Sequence, residues 1–178
     1  MNVFVLCTGR CGSMTFARAC GHLTNYTSAH ESAGIRNGLD FPRDHIEVNN
    51  RLIWVAGQLE RRYADAFYVH LTRDAEAVAR SYAARGTDGP KILGAWRRTI
   101  CQGSQRELIA DARQYCAAVN SLIGHFLDSV DPARLRSMRF ALERAETDWP
   151  VFCRLIFAKG DIKAGASEFN TRHNRYAT

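Results

Sequence analysis

Residues 7–16 read CTGRCGSMTF and residues 72–81 read TRDAEAVARS. The first stretch places Gly9, Gly12, Arg10 and the hydroxyls of Thr8, Ser13 and Thr15 between an apolar run and the helix-like ARACGHL. Two readings follow: a turn that needs glycine for its backbone, or a cradle for a phosphate. A helix N-terminus supports the second, because it offers free N–H groups and the positive end of a dipole, and glycine lets an anion approach closely. The second stretch puts Arg73 before a helix and Ser81 about two helical turns later, where a planar guanidinium and a hydroxyl suit a phosphate. Taken alone it also reads as a plain helix start, with Asp74 as the cap and Ser81 as a small packing residue.

The Walker A form G-x-x-x-x-G-K-[ST] needs Gly at position 7 and Lys at 13, and the chain has Cys7 and Ser13. That disfavours an ordinary ATP or GTP hydrolase. Together the two stretches, T-G-R-C-G-S and R-D-x-x-x-x-x-x-S from Arg73 to Ser81, resemble the paired nucleotide signature of the sulfotransferases that use 3′-phosphoadenosine 5′-phosphosulfate (PAPS). The resemblance implies a P-loop fold in which Arg10, Cys11, Gly12, Ser13, Met14 and Thr15 surround the 5′-phosphosulfate. It implies that Arg73 and Ser81 bind the 3′-phosphate. Ala75 stands where the family often has proline, and Met14 where it often has a hydroxyl, a role that Thr15 or backbone N–H groups take over. Sulfuryl transfer needs an aligned acceptor oxygen, a base and a stabilised leaving phosphate. The resemblance puts Arg10 on the leaving-group side and takes the base from Glu31, with His30 as runner-up and His45 behind them. Glu31 is expected to be partly buried, which raises a carboxyl pKa toward neutrality.

These residues require a sheet to hold them. Residues 2–7 form a continuous apolar run, as in a strand buried on both faces, with a helix starting near Gly12. A weak strand is expected at 26–29, then an aperiodic loop through residue 48, and a helix from Asn49 to Tyr63. A strand at 66–72, a helix to about Arg85, another after the break at 87–90, and a long helix over 104–128 follow. A strand near 136–142 and a helix opened by TDWP at 147–150 complete the order. Strands alternating with helices predict an α/β three-layer sandwich with a mostly parallel sheet, in one domain spanning residues 1–178. Ligands of such sheets bind at the carboxyl ends of the strands, where both stretches fall.

Composition narrows the partners. The net charge of +6 and the absence of a basic block or aromatic-basic interleaving favour a solvated surface with an anion pocket over nucleic acid. No stretch is long enough to span a bilayer and the first residues lack a signal-peptide layout, so no membrane partner and a cytoplasmic location are expected. Six cysteines without a C-x-x-C pair read as reduced core residues, and no metal site is expected. The expected activity is transfer of a sulfuryl group to a hydroxyl or amine on a small molecule or glycan. Arg36, Phe41, Trp96 and Arg97 are candidate acceptor contacts. Residues Lys159, Lys163, Arg172, His173 and Arg175 form a basic tail with no assigned role. A kinase-like phosphoryl transferase and a non-catalytic nucleotide-binding module of the same fold are the alternatives.

Overall fold

The run VFVLC forms the central strand β1 (Val3–Cys7), and all five of its side chains are buried. A strand covered on both faces has no polar side to alternate with, hence the unbroken apolar run. The computed structural model describes residues 1–86, 91–103, 105–131, 133 and 136–171. Around β1 lie β2 (Thr27–His30), β3 (His45–Val48), β4 (Phe67–Thr72) and β5 (Ser137–Ala141), in the order β2-β3-β1-β4-β5. Every pairing is parallel. The chain leaves β1 for one side of the sheet and returns to build the other beyond it. The carboxyl ends of β1 and β4 therefore flank the crevice where such sheets hold ligands.

The helices are α1 (Ser13–Cys20), α2 (Ala56–Arg62), α3 (Ala75–Ala83), α4 (Lys91–Thr99), α5 (Leu108–Val130), α6 (Ala145–Leu155) and α7 (Ile162–Ser167). One outer layer is α1, α6 and α7, with α1 against β2 and β3 and α6 against β5. Its core is aromatic: Phe16 meets Phe140, Phe152 and Trp149 edge-on, with ring centroids 4.9, 5.1 and 6.1 Å away. Each such ring stabilises the layer by about 1.5–3 kcal/mol on burial. The opposite layer is built on α5, which packs on β1 and β4 and carries α3 and α4. The result is the expected α/β three-layer sandwich. Among the described residues no helix is long and apolar enough to cross a membrane.

Three local expectations need correction. The stretch expected to remain an aperiodic loop ends in β3, which sits between β2 and β1. Its polar residues His45 and Glu47 are buried and contact each other at 3.3 Å, so their polarity is satisfied inside the sheet instead of marking a loop. The helix expected from Asn49 to Tyr63 is a 3-10 turn at Leu52–Val55 followed by α2. The helix expected to open at TDWP already starts at Ala145 and runs through Pro150. Glu146, whose carbonyl Pro150 has no N–H to meet, is exposed, so water can take that acceptor.

Candidate functional site

The loop leaving β1 is held in a left-handed path. Gly9, Arg10 and Gly12 have φ values of 78°, 59° and 87°. Only glycine adopts that region without a steric cost. Space also demands glycine at position 9, where a Cβ would come within 2.7 Å of both Asn50 Nδ2 and the Tyr82 hydroxyl.

Three consecutive carbonyls of this loop are taken by side-chain donors. Thr8 O accepts from the Tyr82 hydroxyl at 2.6 Å and the Tyr115 hydroxyl at 3.1 Å. Gly9 O accepts from Thr8 Oγ1 at 2.9 Å, and Arg10 O from Arg73 Nη1 at 3.3 Å. With its acceptors occupied, the loop presents less negative dipole to an approaching anion. Gly12 precedes α1, where Phe16 N–H closes the first helical bond on Gly12 O at 2.9 Å. The N–H groups of the helix's first turn lie ahead of that bond and are the donors a helix leaves over for an anion.

The sequence-expected residues fall on this frame as follows. Arg73 follows β4, whose end pairs with the end of β1 through Leu71 and Cys7, and so reaches the loop. Arg10 Nε donates to Ser81 Oγ at 3.1 Å. Arg10, Arg73 and Ser81 thus form one hydrogen-bonded group, drawn from the β1 loop, the end of β4 and α3. Asp74 caps α3, accepting Ala77 N–H at 2.8 Å, so the plain helix-start reading and the contact of Arg73 with the loop hold together. Cys11 is fully buried and shares a hydrogen bond with Cys7 that lowers the Cys11 thiol and raises that of Cys7, so its side chain points into the core. Gly12, Ser13, Met14 and Thr15 are partly accessible at the start of α1.

β2 ends at the same edge. His30 Nε2 and Ser13 Oγ share a hydrogen bond of 2.9 Å, which brings the imidazole to the loop. Burial lowers the pKa of His30, against the charges of Glu31 and Glu47 that raise it. Glu31 is exposed, with φ of 51°, where partial burial was expected. Behind the pair lies Glu47, whose Oε1 accepts from the Ser32 N–H at 2.9 Å and from Asn49 Nδ2 at 3.0 Å. Burial pushes that carboxyl up, but the hydrogen bonds from His45, Asn49 and Ser32 outweigh it and hold it below its ordinary range. His45 is therefore committed to the sheet interior.

The suggested acceptor contacts divide. Phe41 is a core residue, 5.3 Å from the ring of Phe4, and Arg36 is exposed. Trp96 lies edge-on to Tyr115, and Arg97 Nε meets the buried carboxylate of Asp111 at 2.8 Å. Both fasten α4 to α5. Lys159 and Lys163 are exposed, while Arg172, His173 and Arg175 lie outside the described residues. The clamp of the Tyr82 and Tyr115 hydroxyls on the Thr8 carbonyl has no counterpart in the sequence reading. Tyr115 lies on the apolar stripe of α5, where the only signal is a phenol that needs a partner once buried.

Among solved structures, a sulfotransferase domain from the curacin biosynthetic pathway matches this architecture with a TM-score of 0.64. The fold is sulfotransferase-like. The match covers 97% of this chain and 74% of that one at 13% sequence identity, so the likeness is one of backbone shape. No family model and no curated protein matches the chain. Within the sulfotransferase-like fold, the loop after β1 and the end of β4 supply the hydrogen-bonded basic group described above.

Proposed function

We propose that the protein is a PAPS-dependent sulfotransferase that moves a sulfuryl group to a hydroxyl or amine acceptor. The observation that carries this reading is the Arg10–Ser81–Arg73 group: the Arg10 guanidinium on the Ser81 hydroxyl, and the Arg73 guanidinium on the Arg10 carbonyl of the same loop. Both contacts bring a cationic side chain to the same loop, and a nucleotide with phosphates on both sides of its ribose offers an anion to each. The sulfotransferase-like fold supports the same choice.

In this reading the first turn of α1 and Arg10 hold the 5′-phosphosulfate, while Arg73 and Ser81 hold the 3′-phosphate. The acceptor oxygen or nitrogen attacks sulfur and loses its proton to a base. The bond from sulfur to the bridging phosphate oxygen breaks, and adenosine 3′,5′-bisphosphate leaves with its new charge facing Arg10 and the helix N-terminus. His30 and Glu31 are the candidate bases. His30 touches the loop, and its lowered pKa keeps it neutral and able to take a proton at pH 7. The reading takes a small-molecule or glycan acceptor, an acidic or sulfated saccharide among them, in a single domain and without a metal.

The test is thermal unfolding with adenosine 3′,5′-bisphosphate, with ADP and with magnesium-ATP. Ligand at 100 times its dissociation constant raises stability by about 2.7 kcal/mol. A shift with the bisphosphate, lost in Arg73→Ala, supports the donor site, and turnover on an acceptor panel then separates an enzyme from a binding module. A shift with magnesium-ATP alone would return the loop to the kinases.

A further inference from the structure

Beneath the loop, Tyr82 from α3 and Tyr115 from α5 converge on one oxygen, the carbonyl of Thr8, at 2.6 and 3.1 Å. Both rings are fully buried and pack edge-on, 5.6 Å apart at 80°. We infer that Tyr82 and Tyr115 are positioning residues that set the loop's affinity for the donor's 5′-phosphate, and that α3 links this grip to the 3′-phosphate contact at Ser81. The inference rests on the donor-site reading given above.

Three observations carry it. First, Gly9, Arg10 and Gly12 all lie in the left-handed region, and for Arg10 that conformation is strained. Such a path persists only where its surroundings over-determine it. Second, the fixed point is the Thr8–Gly9 peptide at the start of that path. A peptide is planar, so clamping its carbonyl fixes the direction in which the chain sets out. Third, Ser81 and Tyr82 are neighbours in α3 with different tasks. Ser81 Oγ meets Arg10 Nε, while the next residue holds the loop from below. A ligand that fixes Ser81 also fixes the helix that carries the Tyr82 hydroxyl. Burial pushes both tyrosines well above their ordinary pKa, so both stay protonated and remain donors.

The test uses Tyr82→Phe, Tyr115→Phe and the double variant, which keep the rings and delete only the hydroxyls. Calorimetric titration with adenosine 3′,5′-bisphosphate should show affinity reduced about fivefold in each single variant. The double variant should lose more than the product of the two, because Thr8 O is then left without a donor and the loop must move to solvate it. Phosphorus NMR at saturation separates this role from a general loss of stability. The Tyr variants should displace the resonance of the bound 5′-phosphate most and, through α3, that of the 3′-phosphate by less, whereas Ser81→Ala should displace the 3′-phosphate resonance most. If the double variant fails to fold, the two single variants decide by the same two readouts. Binding within about twofold of the parent in every variant, or equal displacement of both resonances, would overturn the inference. Failure of the parent protein itself to bind the bisphosphate would remove the donor reading and this inference with it, and that failure is visible before any variant is made.

Discussion

Arg10 Nε and Ser81 Oγ meet at 3.1 Å although the two residues are 71 positions apart in the chain. The contact joins the two stretches that the sequence marks for phosphate chemistry. Arg73 adds a second tie by donating to the Arg10 carbonyl at 3.3 Å. On the proposed reading, a nucleotide bound here would exchange these contacts for its own on a loop that is already held. That lowers the ordering cost of binding.

Replacing Arg73 tests this group most directly. On the proposed reading Arg73→Ala removes a charged donor to the 3′-phosphate, and it also removes the tie on Arg10 O. Hydrogen bonds to charged groups contribute about 1.5–3 kcal/mol, so the dissociation constant for adenosine 3′,5′-bisphosphate should rise about 10- to 100-fold. Arg73→Lys keeps the charge but loses the planar fork, and should recover only part of the affinity. Calorimetric titration of the three proteins decides. Parent-like affinity in Arg73→Ala would take Arg73 out of the site.

The meeting of the two stretches is legible from residue types: glycine, arginine and hydroxyls at the junction of a buried strand and a helix suit an anion as well as a turn or a helix start. Placing Arg73 and Ser81 needs only a strand end and a helix, and both form at the expected positions. The supports are a different matter. Tyr82 and Tyr115 lie on apolar helix faces, where a sequence pattern assigns them to the core; that is correct for their rings and silent about their hydroxyls. β3 escapes recognition for a related reason. His45 and Glu47 are charged or polar by type, yet they satisfy each other and their neighbours inside the sheet, and that pairing is visible only in three dimensions. Glu31 shows the opposite error: a residue at a strand's edge is expected to be half-covered, and the left-handed turn at that position sends it into solvent.

The glycines of the loop should separate by cause. At Gly12 an added Cβ would meet the terminal carbons of Leu142 at 2.8 and 2.9 Å, and a flexible side-chain end can yield. What remains is the left-handed backbone, which costs about 1–2 kcal/mol for a residue with a Cβ. At Gly9 the Cβ would meet the Tyr82 hydroxyl at 2.7 Å and disturb its bond to Thr8 O. Urea unfolding should therefore rank Gly9→Ala below Gly12→Ala in stability, with both below the parent. Equal losses would show that the tyrosine contact adds nothing.

One buried carboxylate ties α4 to α5 beside the Trp96–Tyr115 contact. Asp111 is fully buried and receives Arg97 at 2.8 Å and Arg106 at 2.9 Å, with Arg106 about half exposed. Removing one partner of a buried pair costs about 3–5 kcal/mol, and the access of Arg106 to water reduces that to about 2–3 kcal/mol for Asp111→Ala. Because Arg97 belongs to α4, the loss should fall there first. Limited proteolysis should cut near α4 faster in the variant, while bisphosphate affinity stays near that of the parent. Cleavage at the parent's rate would mean that the packing of Trp96 on Tyr115 is sufficient to hold the helix.

The pH profile distinguishes the two candidate bases. Burial lowers the pKa of His30 below the ordinary value of 6.5, and the negative charges of Glu31 and Glu47 partly restore it. Between 6.5 and the lower folded value, the unfolded chain binds a proton that the folded one refuses. This group's contribution to stability is therefore complete above 6.5 and declines as the pH falls through that window. The same shift keeps the imidazole unprotonated where an ordinary histidine would already be charged. With His30 as base, kcat/KM on a working acceptor should fall on an acid limb centred below pH 6.5. Glu31→Gln removes a charge that raises the His30 pKa, so the limb should move to still lower pH with turnover retained. His30→Gln should abolish most turnover while bisphosphate binding stays within about threefold. The opposite pattern, with Glu31→Gln inactive and His30→Gln active, would assign the base to Glu31 and leave His30 as the residue that holds Ser13.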